Sequence, residues 1–309
     1  MIRPVFLAAA VTALSIGAAA AADPLVSAAW LKDKIGSDSI VVVDLREPPE
    51  GQTADPYQAG HIPGAIPAPY AKSGWRTTVN GVPGMLPPEA EIEKLLGGLG
   101  IDRDDHVVIV SEGETSSDFG AAARVLWTLE VMGHEDVSIL EGGHKAWTGA
   151  GFEVATGGAP AIAATTYDAT FDPSLVVTLD DVKQARADDV PLVDARPFAQ
   201  YEGSETPKNV GVAGTIPGAV SLPHSVLVKD GSSVVTQPAL ASYRSEIGVP
   251  ESGDVIAFCN TGHWAAVGWF ALNKVGGNKN ARLYDGSMVE WAKVNGLETE
   301  TGATRTVKH

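Results

Sequence analysis

At 309 residues the chain is too long for one ordinary domain and suits two, each large enough to bury its own core without disulfides. Hydrophobic residues make up 44% and charged residues 19%, the balance of a globular protein, which argues against intrinsic disorder. The formal charge of −16, the pI near 4.8 and the absence of any Lys/Arg-rich run leave no field to hold a phosphate backbone, so nucleic acid is excluded as a partner.

In chain order, residues 1–22 read as a secretory signal. Arg3 supplies the positive start, Val5 to Ile16 the apolar centre, and Ala20-Ala21-Ala22 the small-residue cleavage site. The mature protein is expected to begin at Asp23 and to be periplasmic or secreted, without membrane contact. The competing reading, an N-terminal anchor, needs roughly 20 apolar residues, and this run is shorter. Export gives weight to the cysteine count, because exported proteins usually spend cysteines in pairs and this chain has one, Cys259. It is a buried small hydrophobe, an intermolecular linker or a reactive thiol.

The first strand, Ile40-Val-Val-Val-Asp44-Leu-Arg46, returns as Val190-Pro-Leu-Val-Asp194-Ala-Arg196. The turn Gly60-His-Ile-Pro-Gly64-Ala-Ile66 returns as Gly214-Thr-Ile-Pro-Gly218-Ala-Val220. The apolar run from His106 to Val110 matches Asp254 to Phe258, and Val137 to Trp147 matches Ala281 to Trp291. The echoes keep their order at an offset of roughly 150 residues, which identifies a duplicated unit of about 130 residues. The predicted organisation is therefore a first domain over 23–152, a linker over 153–173 and a second domain over 174–309. Short apolar strands alternate with helical patterns, among them Ala121 to Met132 and Trp264 to Val275, so each copy is expected to be α/β. Each would have a mostly parallel sheet with helices on both faces. Ligands of such sheets sit at the carboxyl ends of strands, which directs attention to the loops after Val110 and Phe258.

Cys259 follows the second of these strands directly and precedes a helix starting near Trp264. A thiol in the turn Asn260-Thr-Gly-His263 would face backbone N–H groups and the positive end of a helix, which favours the nucleophilic thiolate and an anionic persulfide. Gly262 permits the tight backbone this cradle needs. The other histidines show no metal-ligand spacing. A cysteine-dependent phosphatase needs an arginine six positions after the cysteine to clamp phosphate, and Ala265 stands there.

The repeated strand-Asp-x-Arg, the Ile-Pro-Gly-Ala turn, the strand leading into Cys259 and the closing Tyr284-Asp-Gly-Ser287…Glu290-Trp291 together resemble the tandem rhodanese family. That family includes thiosulfate and 3-mercaptopyruvate sulfurtransferases, and the resemblance spans the whole chain after the signal. It implies two rhodanese-like domains, the first inactive and structural, the second catalytic. Ser111 stands at the place of Cys259, in a loop whose Glu112, Glu114 and Asp118 would repel an anionic donor. It also implies sulfur transfer through a Cys259 persulfide, without metal or organic cofactor, from a small anionic donor to a thiol or protein acceptor. Asn260, Thr261, Gly262, His263 and Trp264 are the expected persulfide and substrate pocket, with Trp264 at its mouth and Trp269 in the helix core. Arg196 is the first candidate for binding the donor's anion, the alternative being a strand-end ion pair with Asp194. The loop lacks the basic residues of the thiosulfate enzymes and the Gly-Ser-Gly turn of the mercaptopyruvate enzymes, and Gln200 stands where the latter carry arginine. His263 would supply a positive charge when protonated or a hydrogen bond when neutral, and His224 lies near the cleft. The alternative function is a non-enzymatic sulfur or selenium carrier, or a module that docks a redox partner.

Overall fold

The computed structural model describes residues 22–48, 51–231 and 233–307; the expected signal lies outside them except for Ala22. Two five-stranded sheets, all of whose strand pairs are parallel, carry the fold. The first runs Leu25–Val26, Val137–Leu140, His106–Val110, Ile40–Asp44, Ile66–Pro67 across the sheet, and the second Val220–Ser221, Leu192–Asp194, Val255–Phe258, Ala281–Tyr284, Val176–Val177. Parallel pairing forces each return through a crossover, and the helical patterns of the sequence supply those crossovers.

Alternation along the strands divides the cores. Val42, Val108 and Val110 face an outer core with Leu31, Tyr57 and Trp147, while Val43, Val107 and Ile109 face the opposite way. This second face is continuous with Val193, Ala257 and Ala265 of the second domain, so the two domains share one apolar core. Its centre is a pair of facing helices, Ser116–Val131 and His263–Phe270, in which Phe119 meets Phe270 edge to face at 5.1 Å. The first starts five residues earlier than its apolar pattern predicts, at Ser116 rather than Ala121, because Thr115 and Asp118 form a capping box. The second widens into a π turn over Ala271–Val275, from which Lys274 pairs with Glu130 across the seam.

The segment predicted as a linker carries no regular element from 156 to 172 but is tied to the first domain. Thr165 donates to Gly97 O, Thr170 to Met132 O and Asp172 to Val131 O.

Two short hairpins interrupt the α/β pattern. Thr77–Val79 pairs with Val82–Met85 around Asn80-Gly81, and Val228–Lys229 with Ser233–Val234 around Asp230-Gly231. All four residues have φ between 51° and 81°; at Asn80-Gly81 this is the double left-handed turn that suits the twist of a two-residue hairpin, while the loop from Lys229 to Ser233 is one residue longer. Each hairpin crosses to the other domain. Arg76, beside the first, donates to Thr261 O and to Gly84 O (2.9 Å). At the tip of the second, a Cβ on Gly231 would lie 2.4 Å from the backbone of Glu114 and Thr115. Each domain thus roofs the loop at the sheet edge of the other.

Candidate active site

Strand Val255–Phe258 delivers Cys259 to the carboxyl edge of the second sheet, where it is 1% exposed. The loop behind it is held from two sides. Met288 and Val289 donate to the Cys259 and Asn260 carbonyls, both at 3.0 Å. The Ser287 hydroxyl accepts from the amides of Cys259 (3.0 Å) and Gly262 (3.1 Å) and donates to Tyr284 O (2.9 Å). With its single proton committed there, Ser287 has none for the Cys259 Sγ, 4.0 Å away. Of the loop amides expected to face sulfur, that of Gly262 therefore belongs to Ser287, as does that of Cys259 itself. Those of Asn260 and Thr261 carry no hydrogen bond among the described residues and are free donors next to Cys259 in the chain.

Gly262 is left-handed at φ 78°, and a Cβ there would sit 2.4 Å from both Arg124 Nη1 and Asp285 Oδ1. Only glycine fits between the loop and this ion pair. Arg124 comes from the first domain's inner helix, is fully buried, and pairs with Asp285 of the second domain while Nη1 lies 3.5 Å from Gly262 O. Its Nε and Nη2 have no hydrogen-bond partner among the described residues, and its guanidinium lies over the Trp127 ring at 4.5 Å. Burial opposes the charge, but Asp285 outweighs it and holds Arg124 above its ordinary range, with Tyr70 and Cys259 adding to the effect. Asp285 is itself fixed by the Leu86 amide of the first domain at 2.5 Å. Sequence reasoning missed Arg124, Arg76, Tyr70 and Ser287. For the first three no motif exists, because they arrive from the other domain. Ser287 had a signal: it stands where the first copy has glycine.

The predicted residues divide into those at the thiol and those that brace it. Arg196, expected to bind the donor, is fully buried and spent. It forms a fork with Asp194 (Nε to Oδ1 2.9 Å, Nη2 to Oδ2 2.6 Å), Nη2 also reaches Gly214 O (2.8 Å), and Nη1 lies 3.4 Å from Asn260 Oδ1. Thr215 donates to Asp194 at 2.7 Å and completes the knot. The fork favours the strand-end ion pair over anion binding, because both partners are satisfied within the protein. Arg196 acts on the loop through Asn260, whose Nδ2 donates to Gln200 Oε1 at 3.0 Å.

His263 does not supply a positive charge. Burial, then Arg76, pushes its pKa down to about 3, so the ring is neutral near pH 7. It hydrogen-bonds the Tyr70 hydroxyl through Nδ1 (3.1 Å) and the Ser117 hydroxyl through Nε2 (3.0 Å). Trp264 stands in the seam rather than at a pocket mouth: it stacks on His224 at 4.4 Å and donates to Ser117 at 3.2 Å. Trp269 is fully buried in the shared core. Among the described residues no group of three or more His, Cys, Asp or Glu is placed to hold a metal ion.

The comparisons with known proteins fit this geometry. The family model for the rhodanese-like domain matches twice, over residues 27–150 and 178–294. The chain is 32% identical over 281 residues to the 3-mercaptopyruvate sulfurtransferase of Escherichia coli K12, covering 89% of this chain and 97% of that protein. It is 31% identical over 302 residues to the thiosulfate sulfurtransferase of Corynebacterium glutamicum, covering 90% of each. The crystal structure of SseA from Escherichia coli, a 3-mercaptopyruvate sulfurtransferase, superposes with a TM-score of 0.72 at 30% identity over 85% of this chain and 98% of that one. With two matched domains and relatives spanning nearly its whole length, this chain belongs to the rhodanese family.

Proposed function

We propose that the protein is a sulfurtransferase that carries sulfane sulfur as a persulfide on Cys259. The observation that carries this reading is the thiol at the strand end beside two free loop amides and a buried guanidinium that its own carboxylate satisfies on one edge only. The Cys259 thiolate attacks the outer sulfur of a donor such as thiosulfate or 3-mercaptopyruvate. With thiosulfate, a new S–S bond forms, the donor's S–S bond breaks, and sulfite leaves with the bonding pair. The persulfide anion is then held by the Asn260 and Thr261 amides and by the field of Arg124. An acceptor thiolate attacks its outer sulfur, and Cys259 leaves as thiolate, ready for the next turn. Water exclusion follows from the 1% exposure of Cys259.

Export is part of the proposal and rests on the pattern from Arg3 to Ala22; N-terminal sequencing of the protein from a periplasmic fraction tests it, with Asp23 as the expected first residue.

Purified protein incubated with thiosulfate or 3-mercaptopyruvate should gain one sulfur atom by intact mass and release one sulfite or pyruvate, and Cys259→Ser should gain none. Loading only from another protein's persulfide would favour the carrier reading. Sulfur transfer that persists in Cys259→Ser would sink both.

A further inference from the structure

The first domain ends its strands in a built cavity of about 640 Å³, lined among others by Arg46, Ser111, Glu112, Glu114, Tyr70 and His263. Its loop is anchored as the sulfur loop is. His144 donates to Ser111 O at 2.8 Å and Lys145 to Glu112 O at 3.1 Å, matching the bonds from Met288 and Val289 to Cys259 and Asn260. The hairpin tip at Gly231 roofs it from the second domain.

The cavity's chemistry is unbalanced. Ser111, at the place of the reactive cysteine, is 4% exposed and lines the cavity, and its hydroxyl makes no hydrogen bond among the described residues. The Arg46 charge is taken by Asp44 in a fork of 2.7–3.0 Å. Among the described residues Glu112, half-buried, has neither ion pair nor side-chain hydrogen bond, and Glu47, Glu114 and Asp118 line the same cavity. Burial pushes the Glu112 pKa up, and Glu114 and Asp118 add to it against Arg46. The neutral His263 offers no compensation. A ligand that completes this site brings a positive charge for Glu112 and a polar group for the Ser111 hydroxyl.

Two of the lining residues belong equally to the sulfur site: His263 lies in the Cys259 loop, and Tyr70, hydrogen-bonded to His263, feels the Cys259 charge. We propose that this cavity seats the sulfur acceptor, and that the acceptor is a small thiol bearing a primary ammonium group, held by Glu112 with its thiol directed past His263 and Tyr70 to the persulfide. The acceptor role rests on the sulfurtransferase reading; the ammonium site does not. The transfer is RS⁻ plus Cys259–S–S⁻ giving RS–S⁻ plus the Cys259 thiolate, with no other reactant.

Two measurements separate the claims. Cys259→Ser protein, which cannot turn over, is titrated calorimetrically with cysteamine, ethanolamine, 2-mercaptoethanol and 3-mercaptopropionate. The two ammonium compounds should bind and the neutral and anionic ones should not, and adding Glu112→Gln should weaken binding about tenfold. Equal binding of all four, or indifference to Glu112→Gln, overturns the site. In the Cys259 enzyme loaded with sulfur, the ratio of kcat/KM for cysteamine over 2-mercaptoethanol should fall about tenfold in Glu112→Gln. A ratio that does not move overturns the acceptor role. If no donor loads Cys259 while ammonium binding remains and responds to Glu112→Gln, the site stands and the sulfurtransferase reading fails.

Discussion

The loop after Val110 and the loop after Phe258 share their anchorage and differ in what they hold. Both have two carbonyls fixed by consecutive amides from the next crossover, an Asp-x-Arg fork on the neighbouring strand, and a hairpin from the other domain. At the matching left-handed position, however, the first has Gly143 at φ 55° and the second Ser287 at φ 50°. Glycine takes that conformation freely, while serine costs roughly 1 kcal/mol, offset by a hydroxyl that satisfies two buried amides. Beyond this, one loop carries Glu112, Glu114 and Asp118 on its wall, and the other leans on Arg124. Duplicated backbones here support opposite electrostatics, and the difference lies in side chains contributed across the seam.

The largest effect is expected from moving the thiol itself. Ser111→Cys in a Cys259→Ser background should gain no sulfur from thiosulfate over the time in which the unaltered protein loads fully, by intact mass. Loading there would show that the acidic loop is competent and that the charge comparison is wrong.

Arg124→Met comes next. It leaves Asp285 buried beside Gly262 without its ion pair, and removing one partner of a buried pair costs about 3–5 kcal/mol, read from urea unfolding. Arg124→Met with Asp285→Asn should regain a good part of that stability while sulfur loading stays at least tenfold slow. Recovery of both together would reduce Arg124 to a structural role.

Ser287→Gly restores the first domain's residue in the second. It relieves the backbone but strips two buried amides of their acceptor, for a net loss of about 1–2 kcal/mol. Loading is expected to slow about tenfold, and a variant as fast as the parent would show that the hydroxyl does not shape the cradle.

The smallest effect near neutrality is on pH dependence. His263 and His224 have pKa values pushed down to about 3 and about 4, mainly by burial, below the ordinary 6.5 of an unfolded histidine. Their contribution is complete above pH 6.5, and stability falls as pH drops from there towards 3, because the unfolded chain takes protons that the folded one refuses. His263→Gln should flatten this slope in unfolding curves measured from pH 7 to 4, and an unchanged slope would mean that the seam does not sense His263.

Much of the fold was legible because the repeat fixed it. The strand ends at Asp44, Asp194, Val110 and Phe258 fall where the apolar runs place them, and Cys259 lies at the predicted sheet edge. The hairpins were present in Asn80-Gly81 and Asp230-Gly231 as turn dipeptides that the α/β reading passed over. The inner half of the site was not legible. Arg124 sits in an apolar helical run where an arginine reads as surface, and its partner Asp285 is 161 residues away. Tyr70 and Arg76 lie in irregular chain with no periodicity to mark their direction. Arg196 misled because its residue type suits an anion, and only the closed fork with Asp194, Gly214 and Thr215 shows its donors already occupied.

The mutual roofing by hairpins also sets a timetable. A sulfur on Cys259 lies beneath Arg76 and the strands beside it, out of contact with bulk solvent, and a thiol seated in the neighbouring cavity reaches it only when the seam at His263 and Tyr70 parts. Opening then places a ceiling on turnover, and the lifetime of the stored sulfur is governed by how tightly two halves of one chain grip each other. A substitution far from the thiol, at the Lys274–Glu130 pair for instance, thereby becomes a handle on how long the protein keeps its cargo.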